Sequence, residues 1–379
     1  MDNLQCSHCS QLLAAPRDRH DHQFIHCNFC LGVNSFQSPP TQKQMTHIWP
    51  KIRQQLQIFE HFLNRLKDRL SIYDDGSKNY VSLNCDNLFF SPSYSGVRHK
   101  KRAFLCGVSY RKQKHKLIGA INDIKSIRQL LLETYDFQEE AILVLTEMEP
   151  PAYLPTKRNI QRGFKWLVKD MQPGDSLMFY YSGHGLRQLD FNDDELDGFD
   201  ETLCPMDFKE AGMILDNEIN NSIVRPLIEG VTLHAIVDSC HSGTILDLPY
   251  VYDIENSGVR REQWEDNSPP SGEYKGTAGG LAISFGACKD RQLAADTSAF
   301  TKKNMTGAMT WSLIHAVRLH PSLTYGELLD SMLKSIQKGN QSSNVCSSSI
   351  KKVFQTRIIQ DPQLSSSEVF DIYTKQFQL

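Results

Sequence analysis

The chain has 379 residues, 40% of them hydrophobic and 22% charged, with a formal net charge of −3. That length exceeds one ordinary core, so one large globular domain with an appendage is expected. The weak net charge argues against nucleic acid or an acidic membrane surface as the main partner, and no apolar run approaches the roughly 20 residues that cross a bilayer.

Residues 1–36 carry Cys6, Cys9, Cys27 and Cys30, two CxxC pairs separated by 17 residues. This is the spacing of a four-thiolate zinc site, and in so short a segment the metal would supply the free energy of folding. His8, His20, His22 and His26 lie among them and keep the ligand set open. The opening MDNLQCSHC is polar, with no secretory segment, which points to cytosol or nucleus, where cysteines stay reduced. Residues 37–98 read as a polar linker with one helical pattern, WPKIRQQLQIFEHFLNRLKDRL.

Residues 99–379 follow a different pattern. RAFLCGVSY reads as a buried strand and LIGAINDIKSIRQLLLETY as a helix, with Ile121, Ile124, Ile127 and Leu131 on one face. AILVLTE (strand), TKRNIQRGFKWLVKDM (helix, capped by Thr156), DSLMFYYSG (strand), DNEINNSIVRPLIEG (helix) and LHAIVDS (strand) come next. Residues 251–278, polar and rich in Pro and Gly, read as a surface loop dividing this domain into 99–250 and 279–379. The last part resumes with a strand in GLAISFGAC and helices in TGAMTWSLIHAV and LTYGELLDSMLKSI. Strands apolar on both faces, alternating with helices, predict an α/β fold with a mainly parallel sheet flanked by helices.

Two strands end in reactive side chains, YYSGHG with His184 and LHAIVDSC with Cys240. In open parallel sheets functional residues gather at the carboxyl ends of strands. A lone strand-end cysteine is usually packing; a histidine at a second strand end makes a nucleophile as strong a reading as packing, because a thiol with a pKa of about 8.5 needs a base. His241 is a rival base, but neighbours on an extended strand point to opposite faces. The amides of Gly185 and Cys240 are candidates for an oxyanion hole.

The segments YYSGHG, DGFDETLCPMDF, ILDNEIN and HAIVDSCHSGT, in this order, resemble the plant type I metacaspases, which are caspase-fold cysteine proteases. The resemblance runs from about residue 102 to the C-terminal EVFDIYTKQFQL. It implies a caspase-like three-layer fold acting as a monomer, with Cys240 as nucleophile and His184 as general base. It also implies roles in programmed cell death, stress or defence. The cysteine pairs resemble the lesion-simulating-disease zinc finger that precedes many type I metacaspases and serves protein partners. That finger's Arg, Tyr-Pro and Gly-Ala pattern is poorly kept in SQLLAAPRDRHDHQFIH, and RDRHDH mixes too many acids with its cations to read nucleic acid.

Seven carboxylates fall within residues 190–201, either a solvated acidic loop or a site for a hard cation. An EF-hand begun at Asp193 fails, since its twelfth position is Cys204. The resemblance implies instead a calcium site of Asp200, Asp216, Asn217 and Asp247, with Asn217 standing where the family has a second aspartate. Calcium is therefore expected to stimulate activity. Asp238, two residues before Cys240, shares its side of the strand. The resemblance adds Asp123 and Ser182 to the same substrate pocket. Two carboxylates in a confined pocket favour Arg or Lys, so cleavage of protein substrates after basic residues is expected. Arg260, Arg261 and Lys275 are then either self-cleavage positions or merely exposed residues of the loop. The rival reading is a non-catalytic regulator whose zinc module recruits partners and whose caspase-like domain is a scaffold.

Overall fold

The structure, a computed structural model, describes residues 98–379 except 112, 114–115, 191–193, 253–263, 270, 289–295, 298–305 and 343–360. It also describes the backbone of two short strands, β1 (Phe24–His26) and β2 (Val33–Ser35), paired antiparallel with each other. Cys6, Cys9, Cys27 and Cys30, the expected linker helix, and Arg260 and Arg261 lie outside the described residues.

The main domain begins with β3 (Lys101–Gly107), α1 (Gly119–Thr134), β4 (Ile142–Thr146), α2 (Lys157–Val168) and β5 (Ser176–Ser182), in the order the sequence predicts. Thr156 caps α2, its side chain accepting from the Asn159 N–H at 3.3 Å. Next come β6 (Gly185–Leu189), β7 (Phe199–Leu203) and β8 (Ile214–Leu215), a separate antiparallel sheet; the acidic segment forms the connection between β6 and β7, with only Asp200 and Glu201 inside a strand. The helix expected over DNEINNSIVRPLIEG is shorter, α3 (Asp216–Ile219) followed by a π turn at Asn220–Val224. The chain continues through β9 (Thr232–Asp238), β10 (Tyr250–Tyr252), β11 (Trp264–Asp266), β12 (Leu281–Gly286), β13 (Asp296–Thr297) and β14 (Thr306–Gly307). It ends with α4 (Ala308–Leu319), α5 (Tyr325–Ser342) and β15 (Gln363–Ser366).

Eight strands form one sheet in the order β11-β10-β15-β12-β9-β5-β3-β4. From β12 to β4 every neighbouring pair is parallel, and β15, β10 and β11 extend the other edge antiparallel. Residues 251–278 are therefore not only surface loop: they complete β10 and supply β11, with Val251 and Tyr252 buried.

Side chains alternate along each central strand and fill two cores. Ala103, Leu105, Met178, Tyr180, Ile236 and Phe285 pack on one face with residues of α1, α4 and α5. Phe104, Cys106, Phe179, Tyr181, Ala235 and Val237 pack on the other with α2 and the π turn. This is the expected three-layer arrangement. Cys106 and Cys288 are buried core residues.

The second core is tight enough to read at a single atom. A Cβ on Gly163 would sit 2.4 Å from the Phe104 ring, which is itself wedged against Phe164 and Phe179 at 5.8 and 5.6 Å between centroids. Gly163→Ala should therefore destabilise the domain by about 1–3 kcal/mol. Urea titration should show a lower midpoint with an unchanged slope.

Candidate active site

The site is built where β5 and β9 stop. These strands pair in parallel with Ser182 opposite Asp238, so the chain reaches His184 and Cys240 two residues beyond the same level of the sheet. Both are only partly buried, whereas Ser182, Gly183, Gly185, Ser239 and His241 around them are buried. His241 adopts a left-handed φ of 54° and is 1% exposed, so the rival base faces the interior. Gly185 is required here: a Cβ on it would lie 2.1 Å from the Cys240 carbonyl oxygen. The Cys204 N–H donates to the His184 carbonyl at 3.1 Å, and the alternation of the β6–β7 ladder then leaves the Gly185 N–H outside that ladder.

Tyr110 supports the histidine. Its ring stacks on the His184 ring with centroids 4.5 Å apart. Its hydroxyl accepts the His184 N–H at 3.0 Å and donates to the Cys204 carbonyl at 2.5 Å. Tyr110 holds a φ of 49°, costly for an aromatic residue and maintained by these surroundings. Tyr181 adds donors to the carbonyls of His184 at 3.1 Å and Cys204 at 2.9 Å. Burial, with Cys240 nearby, pushes the Cys204 thiol well above its ordinary range. The sequence left Tyr110 and Cys204 without a role, because neither lies near His184 along the chain.

Asp123, Ser182 and Asp238 come together as expected. Asp123 accepts from the Ser182 hydroxyl at 3.1 Å, from the Gly307 N–H at 3.1 and 3.2 Å, and from Thr306 Oγ1. Asp238 accepts from the N–H and hydroxyl of Thr310, at 2.9 and 2.5 Å, in the first turn of α4. Gly307 packs so closely that a Cβ would meet Asp238 Oδ2 at 2.1 Å. Burial, and then Asp238, push the Asp123 carboxyl up to about 8. Thr306, Gly307 and Thr310, which the sequence reading did not single out, join the pocket from far along the chain, Thr306 and Gly307 lying 183 and 184 residues after Asp123 and Thr310 72 residues after Asp238.

The four residues expected to bind calcium are joined by others. Asp190, Asp194 and Asp200 offer oxygens within 4.8 Å of one another, as do Asp194, Glu195 and Asp247. Asp216 faces the same cluster but accepts two backbone N–H groups, from Glu201 at 2.7 Å and Asn217 at 2.8 Å. Asn217 donates its amide to Asp194, and its side-chain oxygen has no hydrogen-bond partner among the described residues. Burial raises the carboxyls of Asp216 and Asp200, takes Glu195 to about 8 and Asp247 to about 6. An all-oxygen donor set of this kind suits a hard cation such as calcium. Lys275 is buried against the cluster, not exposed in a loop as a self-cleavage residue would be.

Residues 101–249 match the family described as "Metacaspase, peptidase C14 domain". The chain is 48% identical to Metacaspase-1 of Arabidopsis thaliana over 291 residues, covering 74% of this chain and 79% of that protein. It is 42% identical to Metacaspase-2 of the same organism over 309 residues, covering 75% and 73%. Caspase-1 of Spodoptera frugiperda is similar over 76% of this chain and 95% of its own, at 11% identity and a TM-score of 0.35.

Two outcomes test the site. If Tyr110 holds the imidazole in place, Tyr110→Ala should slow iodoacetamide alkylation of Cys240 about tenfold at pH 7, while Tyr110→Phe, which keeps the ring stack, should slow it less. For Asp123, between the ordinary value of 3.8 and about 8 the folded protein holds a proton that the unfolded chain has released. Stability contributed by that group is therefore lost as pH rises through this window. Thermal melting should show a smaller fall between pH 5 and 8 in Asp123→Asn than in the wild type.

Proposed function

Because the chain belongs to the metacaspase family of caspase-like cysteine proteases, we propose that it cleaves proteins after Arg or Lys, through Cys240 and His184, and that calcium stimulates it. The observation that carries the specificity is the convergence of two buried carboxylates, Asp123 and Asp238, beneath the strand ends that bear the dyad. A substrate guanidinium or ammonium entering between them satisfies both, and it displaces the proton that burial keeps on Asp123. Caspase-like cleavage after Asp would place a third carboxylate there, which the same electrostatics oppose.

His184 takes the Cys240 thiol proton as the sulfur attacks the scissile carbonyl carbon. The carbonyl π electrons move to oxygen, and the amides of Gly185 and Cys240 donate to that oxyanion. As the tetrahedral intermediate collapses, the C–N bond breaks and His184 gives its proton to the leaving amine. Water, deprotonated by His184, then attacks the thioester, releasing the carboxylic acid product and the Cys240 thiol.

Asp194, Glu195, Asp200 and Asp247, assisted by Asp190, Asp216 and Asn217, are the residues that would hold calcium; bound there, the ion supplies charge neutralisation that orders the surrounding loops. Support comes from connectivity. Asp200 and Glu201 belong to β7, whose partner β6 starts one residue after His184, while Asp247 closes the segment that starts at Cys240. Thr244 donates to Glu201 at 2.8 Å and links the two. Cys6, Cys9, Cys27 and Cys30 would hold a structural zinc ion in a module that serves protein partners. The reading places the protein as a monomer in cytosol or nucleus, acting in stress, defence or programmed cell death.

The test is a peptidase assay on the full chain with fluorogenic peptides ending in Arg, Lys or Asp, from zero to millimolar calcium. The wild type should cut the Arg and Lys peptides faster as calcium rises, and Cys240→Ala should not cut at all. Preference for the Asp peptide would remove the pocket assignment. Equal signals from wild type and Cys240→Ala would leave only a scaffold.

A further inference from the structure

The acidic cluster already contains a cation belonging to the chain. Lys275 is only 4% exposed. Its Nζ lies 2.5 Å from Asp247 Oδ1, 2.6 Å from Glu195 Oε1 and 2.6 Å from the Asp194 backbone carbonyl. The Asp194 carboxylate is a further 3.8 Å contact. Of its three donors, the ammonium gives hydrogen bonds to Glu195 and to the Asp194 carbonyl, while its contact with Asp247 Oδ1 is an ion pair without hydrogen-bond geometry. Asp194, Glu195 and Asp247 are also one of the groups whose oxygens converge within metal-ligating distance of one another. The ammonium therefore sits among the oxygens that a divalent ion would use.

A single positive charge does not satisfy this site. Asp194 Oδ1 and Asp200 Oδ1 belong to side chains 1% and 2% exposed and have no hydrogen-bond partner among the described residues. Buried acceptors left unpaired are costly, so the cluster retains capacity for a stronger cation. Lysine and a divalent ion cannot both draw on the same carboxylates, because two cations a few ångströms apart in a buried site repel strongly.

Lys275 sits at the edge of an exposed stretch: Ser271, Gly272, Glu273 and Tyr274 before it are exposed, whereas Gly276 and Thr277 after it are buried. A swing toward the exposed side would return the ammonium to water. The backbone is anchored separately: Asn220 Nδ2 donates to the carbonyls of Lys275, Leu246 and Asp247, each at 3.0 Å. The segment can therefore stay docked while the ammonium departs.

We propose that Lys275 is a tethered counter-cation, which neutralises the cluster in the calcium-free protein, competes with calcium for Asp194, Glu195 and Asp247, and swings into solvent when calcium binds. This rests on the calcium reading above and adds its regulation. The lysine sets the calcium threshold, since only the fraction of molecules with the ammonium withdrawn is competent to bind the ion. It also keeps the calcium-free site from being forced apart by the mutual repulsion of its carboxylates.

The experiment measures calcium binding by calorimetry on the full chain carrying Cys240→Ala, which prevents self-cleavage, with and without Lys275→Met. The Lys275→Met protein should bind calcium about tenfold more tightly. Unchanged or weaker binding, in a variant whose near-ultraviolet circular dichroism matches the parent, would overturn the proposal. A second measurement needs no Lys275 variant: acylation with acetic anhydride, read by mass spectrometry, should leave Lys275 protected without calcium and modified at saturating calcium. Equal protection in both conditions would overturn the proposal while leaving the calcium site intact. No heat of binding in the parent protein would remove the calcium site and the tethered cation together.

Discussion

The parallel pairing of β5 with β9 is the constraint on which the site depends. Seven residue pairs hold it, from Ser176 opposite Thr232 to Ser182 opposite Asp238. A slip of one residue would shift the strand ends by about 3.3 Å, roughly the reach of a hydrogen bond. It would also turn Tyr180 and Tyr181 to the wrong cores, because side chains alternate between the two faces. Burial of both faces thus fixes where His184 and Cys240 emerge. Gly185 then lets the histidine strand approach the cysteine backbone as no larger residue could.

Buried carboxylates appear twice beside this pair, and each grouping handles its charge differently. In the pocket, Asp123 and Asp238 are supported by neutral donors from Ser182, Thr306, Gly307 and Thr310. In the acidic cluster, an ammonium from the chain is present, and Asp194 Oδ1 and Asp200 Oδ1 have no hydrogen-bond partner among the described residues. Desolvation disfavours an unpaired anion in both places.

The acidic cluster is joined to the hairpin that follows His184 through β6 and β7. Arg187 on β6 pairs with Glu201 on β7 at 2.9 Å, and with Asp197 beyond it, while its guanidinium covers the Phe199 ring at 4.4 Å. Gln188 donates to Asp200 at 3.1 Å. Discrete polar contacts through buried groups thus connect the cluster to the hairpin that starts beside His184 and, through Thr244 and Glu201, to the segment that starts at Cys240.

Local patterns were enough for the central strands, helices α1 and α2, the Thr156 cap and the two strand-end residues of the dyad, because apolar periodicity and capping act over a few residues. Motif order was enough to bring Asp123, Ser182 and Asp238 into one expected pocket. Other features were not legible: β6 to β8 around the acidic stretch, the antiparallel edge formed by β15, β10 and β11, and Thr306 to Thr310 beside Asp123 and Asp238. Their strands are short, and their stability comes from partners far along the chain, so no local period marks them. Lys275 is the sharpest case. Read along the chain it is one basic residue in a polar loop; only the tertiary fold, by carrying Asp194, Glu195 and Asp247 around it, makes it a buried cation.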